Sequence, residues 1–168
     1  MDNFKKQLAL NQGLAFSQAL EEMRQETVNA TTEVDDYIIT IAFENAEGMY
    51  MLHNNDLTWE IPAPEENLHV EVVVQDKQDQ RFIPGLEIYC SLFNTAGKLI
   101  GEKRQPFIWH TFLWHYGINW TIPKEGDYIA QVKILQPKFC RHDEEVGNRK
   151  FEQIPPGRPR LARFDEFG

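Results

Sequence analysis

Apolar residues recur at helical spacing near the start of the chain and then give way to short β-prone runs. Phe4, Leu8, Phe16, Leu20 and Met23 stand at gaps that are mostly multiples of three or four, the spacing of one helix face. Gly13 interrupts this pattern, so residues 3–27 read as one broken helix or two short ones. Such a helix is expected to pack on the domain or on a second subunit. Three Lys and Arg against three Glu leave the segment without a basic excess, which disfavours a membrane-surface role.

From about residue 36 the texture changes. Runs over 37–43 (YIITIAF), 68–74 (LHVEVVV), 86–93 (LEIYCSLF), 98–102, 118–122 and 127–135 (DYIAQVKIL) are separated by turn signals, such as Asn94-Thr95-Ala96-Gly97. Short strands with no long helix between them predict an antiparallel sandwich or barrel. Glu125-Gly126-Asp127-Tyr128 has the pattern of a tyrosine corner, which favours an immunoglobulin-like sandwich. Ala130 stands where an antibody domain would carry its second cysteine, so that inter-sheet disulfide is not expected. The last stretch, 152–168, holds Pro155, Pro156 and Pro159 with Arg158, Arg160 and Arg163. Repeated proline excludes helix and central strand, and predicts an extended arm that is solvated or wraps a subunit. The expected fold is therefore mainly β, an immunoglobulin-like antiparallel β-sandwich with an N-terminal helical segment and an extended C-terminal tail. Its expected parts are residues 1–34, 35–152 and 153–168.

Composition fits this picture and narrows the partners. A length of 168 residues matches one domain with a sizeable core. The 17 Lys and Arg against 26 Asp and Glu give a net charge of −9, which argues against nucleic acid and suits a cationic ligand. No run reaches the ~18 apolar residues of a membrane span. The first 25 residues carry no apolar h-region, so no export signal is read in them. Cys90 and Cys140 form no C-x-x-C, and two reduced thiols are the favoured reading.

Candidate chemistry lies in three places. His69 and Glu71 share one face of the 68–74 run, about 7 Å apart along it, while Val70, Val72 and Val74 take the core face. An imidazole beside a carboxylate can ligate a borderline metal ion, and a solvated strand face is the alternative. The second place is 106–117, PFIWHTFLWHYG, where five aromatic residues flank His110 and His115. It reads as a buried or interface-forming loop, its histidines being ligands or core hydrogen bonders. The third is the acidic stretch 140–148, with Cys140 and His142, where a solvated turn is the alternative.

Taken in order, Leu68-His69-Val70-Glu71, His115-Tyr116-Gly117 and Arg141-His142 through Lys150-Phe151 resemble the bacterial periplasmic iron-transport protein family. The resemblance spans about residues 35–152. It implies an immunoglobulin-like protein that binds copper and ferrous iron outside the cytoplasm, as a homodimer, with a membrane transporter component as a further partner. It implies Glu71, His115 and His142 as metal ligands, with His69 near the site. The family's methionine ligand before His-Tyr-Gly is missing, because Phe107 and Ile108 stand there. His110 is expected to fill that place, and Met49 and Met51 are a further source of soft ligands. His53 has no assigned role.

Two or three imidazoles and a carboxylate suit copper or iron, with zinc as a substitute, rather than magnesium or calcium. The leading expectation is thus a non-catalytic metal-binding protein of iron or copper handling. The alternative is an immunoglobulin-like interaction or assembly module that has lost metal binding. A non-haem iron enzyme is the weakest reading, since no nucleophile, oxyanion loop or cofactor motif supports it.

Overall fold

Strand alternation in the apolar runs decides how the sheets face each other. The computed structural model describes residues 3–140 and 159–167. Its elements are α1 (Asn3–Glu26), β1 (Val28–Val34), β2 (Tyr37–Glu44), β3 (Met49–His53), β4 (Asp56–Glu60), β5 (Leu68–Asp76), β6 (Ile88–Asn94), β7 (Leu99–Gln105), β8 (Phe107–Trp109), β9 (Trp114–Trp120), β10 (Tyr128–Ile134) and β11 (Arg160–Phe167). One antiparallel sheet runs β1-β2-β5-β9-β8 and a second runs β11-β10-β6-β7. Ile39, Ile41, Val70, Val72, Val74 and Tyr116 of the first sheet meet Ile88, Cys90, Leu92, Ala130, Val132 and Ile134 of the second in one buried cluster. This is a mainly β two-sheet sandwich, as expected. Burial on this scale is the main favourable term in folding.

The tyrosine corner is present. Tyr128 donates its hydroxyl proton to the Lys124 carbonyl at 2.6 Å, and Ala130 is fully buried beside it in the core. Tyr116 faces the same core and ties down the 83–86 segment. Its hydroxyl donates to Ile83 O at 2.9 Å and accepts from Leu86 N at 3.0 Å. Both cysteines are free thiols, Cys90 in the core and Cys140 exposed. Burial pushes the Cys90 thiol up to about 12.

The helix departs from the expected break. α1 is continuous over 24 residues, and Gly13 sits inside it. The glycine serves contact rather than termination, because a Cβ there would fall 1.5 Å from Asp79 O. Leu20 and Met23 pack with Ala42, Val73, Phe82 and Leu113 in a second buried cluster. That cluster covers the face of the first sheet turned away from the sandwich interior.

The segment 106–117 is not a loop but a β-hairpin, β8 and β9, joined at 110–113. Within the expected C-terminal tail the described residues, 159–167, hold an extended strand that is paired rather than free. β11 pairs along β10 at the sheet edge, with Ala162 and Phe164 in the core. Arg160 is buried, holds Asp36 at 2.6 Å and lies 4.0 Å over the Tyr37 ring. Proline 159 directly precedes this edge strand, where a missing N–H is tolerated. β1, by residue number, lies within the stretch expected to be helical.

Candidate metal centre

Cross-strand register assembles the site on the outer face of the first sheet. His69 of β5 stands between Glu44 of β2 and Asn119 of β9. One row along, Glu71 stands between Ala42 and Gly117. The two small neighbours leave space around the carboxylate. A Cβ at Gly117 would come within 2.9 Å of His69 Nε2, 3.0 Å of Val70 O and 3.3 Å of the His115 ring. The glycine of His-Tyr-Gly therefore lets two imidazoles approach one carboxylate.

His69, Glu71 and His115 are all buried, which removes the alternative of a solvated strand face for His69 and Glu71. Their ligating atoms lie within 4.8 Å of one another. His115 Nε2 is 3.1 Å from Glu71 Oε1, and His69 Nε2 is 3.9 Å from the same oxygen. None of these contacts has a hydrogen bond's alignment. His69 Nε2, Glu71 Oε2 and both ring nitrogens of His115 are buried without a hydrogen-bond partner. An unpaired buried polar atom costs about 1–3 kcal/mol, and such atoms are uncommon in folded proteins. The four lie on two imidazoles and a carboxylate, and one nitrogen of each imidazole with the carboxylate makes the donor set of a borderline metal ion. The residues present thus fit such an ion.

The other nitrogen of His69 fixes its tautomer. Nδ1 lies 2.9 Å from Asn119 Oδ1. The Asn119 amide is oriented by Glu47, whose carbonyl accepts from Nδ2 at 2.8 Å and whose N–H reaches Oδ1 at 3.3 Å. An amide oxygen only accepts, so Nδ1 carries the proton and Nε2 keeps its lone pair. This is the outer-sphere orientation that ligating histidines commonly have.

Burial sets the protonation of these side chains. Glu71 is raised to about 8, first by desolvation and then by the carboxylates of Glu44 and Glu47. His115 is lowered to about 3, first by desolvation and then by His69 and His110. His69 is lowered by desolvation, against the opposing pull of Asn119 and Glu47. At neutral pH the cluster therefore holds a protonated carboxyl and neutral imidazoles. A cation would displace one proton, from Glu71.

Glu71 and His115 line a cavity of about 150 Å³ together with residues that include Met23, Glu44, Glu47, His110 and Leu113, and His69 lies behind them. His110 reaches this cavity, its ring 6.3 Å from that of His115, but it belongs to neither compact ligand group. Met49 and Met51 lie in the β3–β4 hairpin and do not line the cavity. His53 pairs with Glu60 in that hairpin. His142 lies outside the described residues. The sequence reading missed Glu44, Glu47, Asn119 and Met23. Met23 carried a helical-face signal only, whereas the first three become neighbours of His69 only through sheet register and a loop.

Fold and site together define a class: an antiparallel β-sandwich with a buried His/Glu cluster under a helix. No family model matches the chain, and no curated protein matches it. Solved structures do match in fold. FetP of uropathogenic Escherichia coli strain F11, expressed in the periplasm, is 16% identical with a TM-score of 0.59, over 84% of this chain and 97% of its own. Copper-reconstituted P19 of Campylobacter jejuni is 19% identical with a TM-score of 0.59, over 84% and 97%. A copper-bound P19 variant with isoleucine in place of a methionine is 18% identical with a TM-score of 0.61, over 83% and 94%. The fold likeness thus falls on the family that the three sequence segments resemble.

Proposed function

We propose that the protein is a non-catalytic binder of copper or ferrous iron, working in metal uptake outside the cytoplasm, with His69, Glu71 and His115 as its inner ligands. The observation that carries this reading is the set of unpartnered, buried nitrogen and oxygen atoms on His69, Glu71 and His115, the last two of which line one cavity. Copper in FetP and P19 structures of the same fold supports it. The P19 variant that holds copper with isoleucine in place of one methionine supports binding without a full thioether set. Zinc fits the same donors as a substitute.

The reading extends to a homodimer joined through the aromatic β8–β9 edge, where Phe107 and Trp109 are exposed, with a membrane transporter component as a later partner. Among the described residues no helix is long and apolar enough to cross a membrane.

Equilibrium titration of the purified full chain with Cu(II), and with Fe(II) without oxygen, tests the central claim. One tightly held ion per chain is expected, with binding lost in His69→Ala plus His115→Ala. Wild-type protein that binds neither ion would overturn it.

A further inference from the structure

We propose that Met23 supplies a thioether to the inner cluster for Cu(I) and not for Cu(II) or Fe(II), so that docking of α1 is tied to the oxidation state of the bound copper. The inference rests on the proposed function and deepens it, by naming an ion-selecting residue that comes from the helix rather than from the sheet. Met23 is 5% exposed and lines the cavity together with Glu71 and His115. It is the one sulfur-bearing residue there among those described. It shares a buried cluster with Ala42, and Ala42 is the cross-strand neighbour of Glu71. The turn that carries Met23 is fastened to the sheet. Arg24 Nη2 donates to Thr31 Oγ1 at 2.7 Å and to Thr40 Oγ1 at 3.1 Å, on β1 and β2. Thr27 Oγ1 donates to the Met23 carbonyl at 2.9 Å, and Asn29 Nδ2 donates to the Arg24 carbonyl at 2.9 Å, so carbonyls of the last helical turn are occupied. The backbone is held, while the unbranched side chain leaves the sulfur free to turn toward an ion. Packing alone does not require sulfur here, since leucine would fill the cluster about as well.

Donor chemistry makes this contact selective. A thioether is a soft ligand that prefers Cu(I), whereas a carboxylate prefers the harder Cu(II) and Fe(II). The imidazoles of His69 and His115 serve all three ions. The cluster then offers Cu(I) two imidazoles and Met23, and it offers Cu(II) two imidazoles and Glu71. A bond made only in the Cu(I) state stabilises the docked helix only in that state, by the same factor that it adds to Cu(I) affinity.

Paired titrations test this on the full chain carrying Cys140→Ser, which removes an exposed thiol as a rival for Cu(I). Cu(I) is measured without oxygen against a chromogenic chelator, and Cu(II) by direct titration. Met23→Leu keeps the volume and removes the sulfur. Cu(I) affinity is expected to fall by about 10-fold or more, the scale on which even outer-sphere partners act, with Cu(II) affinity unchanged. Met49→Leu plus Met51→Leu, in the β3–β4 hairpin, is expected to change neither. X-ray absorption should show sulfur bound to Cu(I) in the chain that keeps Met23 and none in Met23→Leu. The Phe16 ring stacks on Phe82 at 4.7 Å while α1 is docked. Chymotryptic cleavage after Phe16 should therefore be slower with Cu(I) bound than with Cu(II), and the difference should vanish in Met23→Leu. Unchanged Cu(I) affinity in Met23→Leu would overturn the inference. So would an equal loss for both ions, which would make Met23 a packing residue alone, and equal cleavage under both ions would break the tie to the helix. Failure of the proposed function is distinct, since the chain that keeps Met23 would then bind neither copper ion nor Fe(II).

Discussion

The two faces of the first sheet are buried almost equally and built on opposite rules. Along β5, Val70, Val72 and Val74 face the second sheet, while His69, Glu71, Val73 and Gln75 face α1 and the 110–113 turn. Every one of these residues is at most 5% exposed. Burial alone therefore does not separate a core from a site. The inner face is filled with apolar side chains, and the Tyr116 hydroxyl in it both donates and accepts. The outer face keeps polar atoms out of water and leaves several of them unpaired. The inner face leaves the Trp120 Nε1 without a partner, whereas the outer face leaves several nitrogen and oxygen atoms that a cation would pair.

Three substitutions or conditions should pull the faces apart. The largest effect on stability belongs to the inner face. Ile41→Ala should lower unfolding free energy by about 2–5 kcal/mol in denaturant titrations, with copper affinity unchanged. A parallel loss of affinity would mean that the faces are not independent.

His115→Phe should do the reverse. It removes a ligand and replaces two unpaired nitrogens by hydrocarbon. Metal affinity should fall by at least about 100-fold, while the metal-free protein is as stable as wild type or more so. A clear drop in metal-free stability would show that the imidazole is a structural group.

The smallest and most diagnostic effect is in pH. Glu71 rises from 4.5 when unfolded to about 8 when folded, so its contribution to stability is full below pH 4.5 and is lost as pH rises through 8. His115 falls from 6.5 to about 3, so its contribution is full above pH 6.5 and is lost as pH falls through 3. Between pH 4.5 and 6.5 the rising contributions of His115 and His69 oppose the falling ones of Glu71 and Glu44, and stability of the metal-free protein should be highest around this window, with declines on both sides. Metal affinity should rise about tenfold per pH unit up to about pH 8, as Glu71 gives up its proton. Glu71→Gln should flatten that slope, and a slope that survives in it would place the proton elsewhere.

Much of this architecture can be read from local pattern, because local pattern is what alternation and turn chemistry record. The six runs that face the sandwich interior, the corner at Tyr128 and the His69-x-Glu71 pair all have neighbours close in sequence. Elements with one exposed side are harder to see. β1 reads VNATTEV, a polar string whose strand character comes from pairing with β2. β3 and β4 are exposed over most of their length, and β11 follows a proline-rich stretch that masks its pairing with β10. At the site, His69, Glu71 and His115 carry chemistry that stands out by residue type. Glu44 and Asn119 do not, since a glutamate ending a strand and an asparagine inside one gain meaning only when register sets them on either side of His69.

The helix over the site has a consequence for how long an ion stays. Leu20 and Met23 of α1 pack in a cluster that shares no side chain with the sandwich interior. A unit joined to the rest through its own small core can detach while the rest remains folded, at less free energy than global unfolding requires. Undocking of α1 then opens a second exit beside the cavity mouth, one that needs no unfolding of the sandwich. Exchange of the α1 amides becomes a clock for the bound ion, slow when the cluster is filled and fast when it is empty.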